Sequence, residues 1–462
     1  MPRSLPRLLA FAPLLVGGAG CDDRGKPHAP LAHTPAVEPR AVEPVSAEAA
    51  LPPPAPTPAA PVLPVRNVAG PAYIGVDDVG LYRLADGKLE LLIDHPYPFQ
   101  AIVVDDKGVV YASAIGGMWR IEGNRKNRLD DGVAGGYHSL ALGPDGVVWA
   151  NDRRAIHRWE GTWTHEPPET FDRALLDDVA VDLDGRVWVT ASSALWRLDG
   201  DHWSLLDPAF TGSTQPFFNA VEVGADGAVY VSCLYGTFVH RDGRWTDTQL
   251  ASISRQIDEL AAGPAGHVVG TGGVGSLAIT APGEPTWKSD ISDAAKATRA
   301  DVRAVDASGR IWITTDNGLV IIDARGELLQ HWLPGTVAGV DGTVTAIAVV
   351  DDGPALPTLR PPATGTVTGR VTRGGKAIAR ATVELCDVPL VTFESTPCES
   401  STFSRTATTD DAGRFQLPEI PIGSYSFAIK PDARWRVMMT GSNCCSRLRA
   451  GGTFDVGTIT VD

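Results

Sequence analysis

The stretch Asp178-Val179-Ala180-Val181-Asp182-Leu183-Asp184-Gly185-Arg186-Val187-Trp188-Val189-Thr190 alternates side-chain character around an Asp-Leu-Asp-Gly centre. Period-two alternation reads as β-strand, and the Asp/Gly centre as a tight turn. Ala194-Leu195-Trp196-Arg197-Leu198-Asp199-Gly200 and then Trp203 follow, adding a third strand, a second turn and the start of a fourth strand. The same order recurs from Ala220-Val221-Glu222-Val223-Gly224-Ala225-Asp226-Gly227 through Val229-Tyr230-Val231-Ser232 to Trp245.

Outward from this stretch, the first-turn glycines are Gly108, Gly146, Gly185, Gly227, Gly266, Gly309 and Gly353. They recur about every forty residues, the length of a four-stranded propeller blade. Tyr73, Tyr111, Trp149, Trp188, Tyr230, Val269 and Trp312 occupy equivalent second-strand positions, where large rings pack blade against blade. The first repeat, from Ala72 to Ile93, lacks an innermost strand, and Val344–Val350 is an innermost strand without the other three. Joined, they make one blade, so the pattern predicts an all-β chain with a seven-bladed β-propeller closed by a shared blade. Closure of this kind removes exposed sheet edges.

These repeats resemble the two-component regulator propeller repeat, close to D-x-x-G-x-x-W-x-x-T followed by G-L-x-R. Asp182–Thr190 matches, as does Asp306–Thr314 with Gly318-Leu319, whereas the repeat at Glu259 is degenerate, with Val269 in place of the aromatic. The resemblance covers residues 67–353 and implies a fold more than a function. In that family a membrane span and a kinase or response regulator usually follow the propeller. None is recognised after these repeats, so phosphotransfer is not implied.

The chain has 462 residues, 40 basic and 55 acidic side chains, a net charge of -15, 49 Gly and 36 Pro. Its length predicts several domains. Abundant Gly and Pro argue against a helical bundle. The acidity argues against nucleic acid as a partner. The acidic surplus lies within residues 67–362, since the rest of the chain is nearly balanced.

Arg3 and Arg7 precede the apolar run Leu8–Val16, then Gly17-Gly18-Ala19-Gly20 and Cys21, the order of an export signal. Ala19-Gly20-Cys21 resembles the lipobox of bacterial lipoproteins, with Gly18 where that family usually has Leu. The resemblance implies that residues 1–21 are a lipoprotein signal, that Cys21 carries the lipid, and that the membrane is a partner. Plain secretion, with Cys21 incidental, is the alternative. Residues 22–66 are rich in Pro and lack aromatic residues. They cannot bury enough apolar surface to fold and read as an extended tether. The expected location is therefore the cell envelope, outside the cytoplasm.

In each blade the short Asp/Gly turns fall on one rim and the long, variable connections on the other, which marks a binding face. Aligned on the turn glycines, the residues opening the innermost strands form a ring of Gln100, His138, Asp177, Asn219, Asp258, Asp301 and Thr345. One reading is polar capping of strand ends; the other is a ligand mouth. Carboxylates suit a hard cation such as Ca²⁺, but members on different blades stand far apart for one ion, and no metal or cofactor is assigned. Glu222 and Arg303, within innermost strands, are expected to pair across the channel or line it. Phe210, Phe217 and Phe218 form either a sticky lip or a satellite core. Asp182–Gly185 reads as a β-turn and His157 as a packing substitute for an aromatic. No nucleophile elbow, zinc-protease helix or phosphate loop occurs.

Pro354, Pro357, Pro361 and Pro362 mark a linker over residues 354–363. Gly369-Arg370-Val371, Ala381-Thr382-Val383-Glu384-Leu385, Thr409-Asp410-Asp411-Ala412-Gly413-Arg414-Phe415 and Gly423-Ser424-Tyr425 then read as short strands and turns of a small β-sandwich over 364–462. Their order is similar to the carboxypeptidase regulatory-like domain, a transthyretin-like module that is non-catalytic in its family. Cys386, Cys398, Cys444 and Cys445 are candidate disulfide partners with three pairings open. Cys233 reads as a buried apolar residue. The expected function is non-enzymatic binding or scaffolding of a protein, peptide or glycan. An enzyme at the channel mouth, a lyase or hydrolase, and an extracytoplasmic sensor are the alternatives.

Overall fold

The computed structural model describes residues 69–461 apart from positions 130–134, 167, 172–173, 249–256, 264–265, 273–275, 281–286, 291–298, 316–317, 339, 387–393, 400, 402, 424, 439–444 and 446–447. Cys21, the leader, the tether and Cys444 lie outside the described residues.

The described residues before Pro354 form seven four-stranded antiparallel sheets. Their innermost strands contact one another in sequence and close into a circle. The first blade is built from both ends of this region, with Val344–Asp351 innermost, then Ala69–Val76, Gly80–Ala85 and Lys88–Asp94. Tyr73 pairs with Ala348 and Ile74 with Ile347. The other blades run in chain order, with innermost strands Phe99–Val104, Ser139–Leu142, Leu176–Val181, Phe218–Val223, Glu259–Ala262 and Ala300–Val305.

The repeat residues have specific tasks. Asp182 Oδ1 accepts from the backbone N–H of Asp184 and Arg186, fixing the first turn, while Oδ2 accepts the indole N–H of Trp188 at 3.0 Å. Asp306 does the same for Arg310 and Trp312. The acid satisfies both the turn and a buried indole, which explains why Asp, Gly and Trp recur together. Gly185 has a φ of +79°, a conformation few side chains tolerate. Hydroxyls join neighbouring blades: Ser113 Oγ donates to Tyr137 O at 2.8 Å, and Thr271 Oγ1 accepts from Val302 N at 3.0 Å.

After the closing strand the chain stays against the propeller. Arg310 donates to the carbonyls of Asp352 and Pro354, Gln330 Nε2 to Pro357 O, and Arg360 N to Thr336 O. Leu356 and Leu359 pack on the core of the first and last blades. The C-terminal residues form two four-stranded sheets. In one, Thr364–Arg373 pairs with Arg414–Pro421, with Lys376–Ala377 and, in parallel, with Thr453–Thr460. The other has the order Ser404–Thr408, Thr382–Cys386, Ser426–Lys430, Arg436–Met438. Val367, Val383, Leu385, Phe415, Phe427 and Ile459 fill the space between them.

Cys386 and Cys398 form a disulfide. Cys445 is buried and also disulfide-bonded. Cys233 is buried and free, as an apolar filler would be. His157 sits edge-on to Tyr137 and Trp163 and pairs with Asp152 at 3.1 Å. Among the described residues no helix is long and apolar enough to cross a membrane.

Candidate functional site: the channel mouth

The innermost strands begin at one rim and run inward, so their first residues surround the channel entrance. A cavity of about 480 Å³ opens there. Gln100, His138, Asp177, Asn219, Asp258 and Thr345 line it. Asp301, the seventh ring position, is held just behind the wall by Arg299 Nε at 3.1 Å and Arg303 Nη2 at 3.0 Å. The structure thus gathers the sequence-derived ring in one place, but its members differ in task. Asn219 Nδ2 donates to Ile257 O at 3.1 Å and Thr345 Oγ1 to Gly75 O at 3.4 Å, so these two brace strand ends.

Asp178 and Glu259 also line the cavity, one residue beyond the ring positions Asp177 and Asp258. The register of Leu176–Val181 against its neighbour shifts between Leu176 and Asp178. Such a bulge lets two consecutive side chains meet the same space. Asp178 Oδ1 accepts from its neighbour Val179 N at 2.8 Å, and Oδ2 accepts across the blade boundary from Val221 N at 3.1 Å. Glu222 and Arg303 line the channel too, but they do not pair with each other. Arg303 instead engages Asp301 and, at 3.7 Å, Glu259, because both lie on its own side of the ring.

Packing at the channel floor disfavours ionised carboxyls. Asp178 is pushed up to about 7 by desolvation and by the charge of Glu259. Glu222 is pushed up to about 8 by desolvation and by Asp178. Burial raises Glu259 and Asp177 as well, although Arg303 and Arg153 respectively pull them back. His138 is lowered to about 4 by burial and by the charges of Arg153 and Arg303. It is therefore neutral near pH 7, and its Nε2 lies 3.2 Å from the Arg153 guanidinium, which donates to it.

The mouth is electrically divided. Asp177 and Asp178 on the fourth blade, Glu222 on the fifth, and Asp258 and Glu259 on the sixth make an acidic arc. Arg153 on the third blade and Arg299 and Arg303 on the seventh stand at its two ends. The outer lip is split as well. Phe218 is buried, Phe210 stacks on Trp245 at 4.2 Å between ring centres, and Phe217 is exposed. Two of the three phenylalanines therefore build a satellite core and one remains on the lip. Among the described residues no group of three or more His, Cys, Asp or Glu side chains is placed to hold a metal ion.

No protein-family model and no curated protein matches the chain. Solved structures with a similar course of chain include a streptogramin B lyase, 14% identical over 57% of this chain and 88% of that one, with a TM-score of 0.44. Another is a catalytically inactive virginiamycin B lyase from Staphylococcus aureus with quinupristin, 11% identical over 70% and 94%, TM-score 0.45. A third is the extracellular domain of a putative one-component system of B. thetaiotaomicron, 12% identical over 78% and 65%, TM-score 0.42. Likenesses this distant carry no activity from one chain to another.

Proposed function

We propose that this protein is a lipid-anchored binding protein of the bacterial cell envelope, and that the channel mouth is its ligand site. Convergence of the innermost strand starts on one polar cavity carries this reading. The anchor rests on the leader and Cys21, and residues 22–66 would hold the propeller away from the membrane. The sandwich, similar in motif order to the carboxypeptidase regulatory-like domain, serves as an accessory module laid against the propeller.

Two measurements test this reading. Full-length protein made in a bacterial host should fractionate with membranes and carry an acyl group on Cys21, and Cys21→Ser should release it. On peptide and glycan arrays the protein should retain a ligand class that Glu259→Gln weakens. A Cys21→Ser variant that stays membrane-bound would overturn the anchor; array binding indifferent to the mouth would overturn the site.

One observation favours a second reading, chemistry at the mouth. Glu222, pushed up to about 8, favours its protonated form near neutral pH, as a general acid must. Turnover of an array ligand, abolished by Glu222→Gln, would decide for it.

A further inference from the structure

The lip beside the acidic arc is apolar. The turn Leu234-Tyr235 joins Val229–Cys233 to Gly236–Arg241 and reaches the rim where the innermost strand of that blade begins. Phe218 pairs with Cys233, which sets Phe217 next to Leu234. The Leu234 N–H bonds to the carbonyls of Pro216 and Phe217 at 3.1 and 3.2 Å, holding the two segments together. Phe217, Leu234 and Tyr235 are 47%, 40% and 53% exposed. Phe217 also has a φ of +51°, a left-handed conformation that costs a phenylalanine energy. Leu175, 61% exposed, continues the lip on the fourth blade.

Apolar lip and acidic arc therefore coincide on the fourth and fifth blades, while the guanidinium groups stand at the ends of the arc. We propose that the mouth receives a polypeptide segment presenting a lysine or arginine beside an apolar residue. The cation enters the channel toward Asp178, Glu222 and Glu259, and its apolar neighbour rests on Phe217, Leu234 and Tyr235. Charge complementarity selects this occupant: the arc holds more carboxyls than the mouth holds guanidiniums, and an incoming cation ionises those that carry a proton. A neutral glycan would draw no such charge from them. Arg153 and Arg299, at the ends of the arc, suit the backbone carbonyls of a bound peptide.

This inference rests on the reading of the mouth as the ligand site, and the test separates the two. The full-length protein is panned against displayed random heptapeptides and, in parallel, applied to a glycan array. The expected result is enrichment of peptides with Lys or Arg next to an aromatic or aliphatic residue. A synthetic peptide from that pool should bind about tenfold more weakly when its basic residue becomes norleucine, and about tenfold more weakly to a Phe217→Ser, Tyr235→Ser variant. Glu222→Gln, a near-isosteric change whose melt should lie no lower than that of the wild type, should weaken it too, whereas Leu329→Ser on an outer strand should not. Calorimetry in buffers of different ionisation enthalpy should register proton release on binding near pH 7, because the incoming cation ionises the floor carboxyls. Enrichment of neutral or acidic peptides, or glycan binding that Glu222→Gln abolishes while no peptide is retained, would overturn the inference and keep the mouth as a site. Absence of binding to either pool would overturn both.

Discussion

The indole nitrogen of Trp312 lies 3.1 Å from Asp306 Oδ2, an oxygen that also receives Arg310 Nε at 2.7 Å. Asp306 is wholly buried, and Arg310 continues to the carbonyls of Asp352 and Pro354. One carboxylate thus links the turn of the last blade, a core indole and the segment that leaves the closed ring. Asp306→Ala leaves a buried indole N–H without its acceptor and takes the carboxylate from a half-buried guanidinium, so we expect a loss of about 3 kcal/mol in urea unfolding. Asp323 caps Arg325 N and Glu327 N at the surface, and Asp323→Ala should cost about 1 kcal/mol. Equal losses at the two sites would show that the indole and guanidinium bonds contribute nothing.

Closure of the ring gives a second expectation. Val344–Asp351 supplies the innermost strand of a blade whose other strands come from residues 69–94. Deleting residues 344–353 exposes the edge of Ala69–Val76 and uncovers Ile74, which is fully buried. The propeller should then lose its single sharp transition in thermal unfolding and become prone to aggregation. A melt like that of the intact chain would mean the ring does not depend on this strand.

The blades were legible because most repeats carry their own turn acid, turn glycine and core aromatic, and these act within about ten residues of one another. The ring at the mouth was legible for the same reason: aligning turns aligns strand starts. Asp178 was not, because the bulge at Leu176–Asp178 breaks the alternation on which face assignment depends, and Glu259 opens an unbulged strand directly after the ring position Asp258. The doublets Asp177-Asp178 and Asp258-Glu259, on blades four and six, were the available signal. Arg153 falls outside the alignment of strand starts because it comes from a turn of another strand pair, with a φ of +74°. Partner choice was also beyond alignment: Arg303 has carboxyls on several blades within its reach, and only the built ring selects Asp301 and Glu259.

The Cys386–Cys398 disulfide closes the segment between the end of Thr382–Cys386 and the described turn at 394–399. Glu399 supports that turn by accepting from the N–H groups of Glu394 and Ser395. Replacing both cysteines with alanine frees a short loop in the unfolded chain, which should lower sandwich stability by about 2 kcal/mol. Hydrogen exchange should localise the effect, accelerating at Thr382–Cys386 and remaining unchanged at Val187–Ala191 in the fourth blade. Acceleration at both sites would mean the two folds unfold as one unit.

Carboxyl groups in an unfolded chain titrate near pH 4, whereas folded Asp178 and Glu222 are pushed up to about 7 and about 8. Between these limits the folded protein keeps protons that the unfolded chain has released. Their contribution to stability is therefore complete below about pH 4, falls as pH rises, and levels off once pH passes the folded values. The two acids repel each other when ionised, so they titrate as a pair. Glu222→Gln removes one ionisation and relieves Asp178, so its stability should decline less than that of the wild type between pH 5 and pH 9. Urea unfolding of both proteins at the two pH values measures the difference. If the decline is the same in both, Glu222 is ionised at neutral pH and the channel floor is wetter than its packing implies.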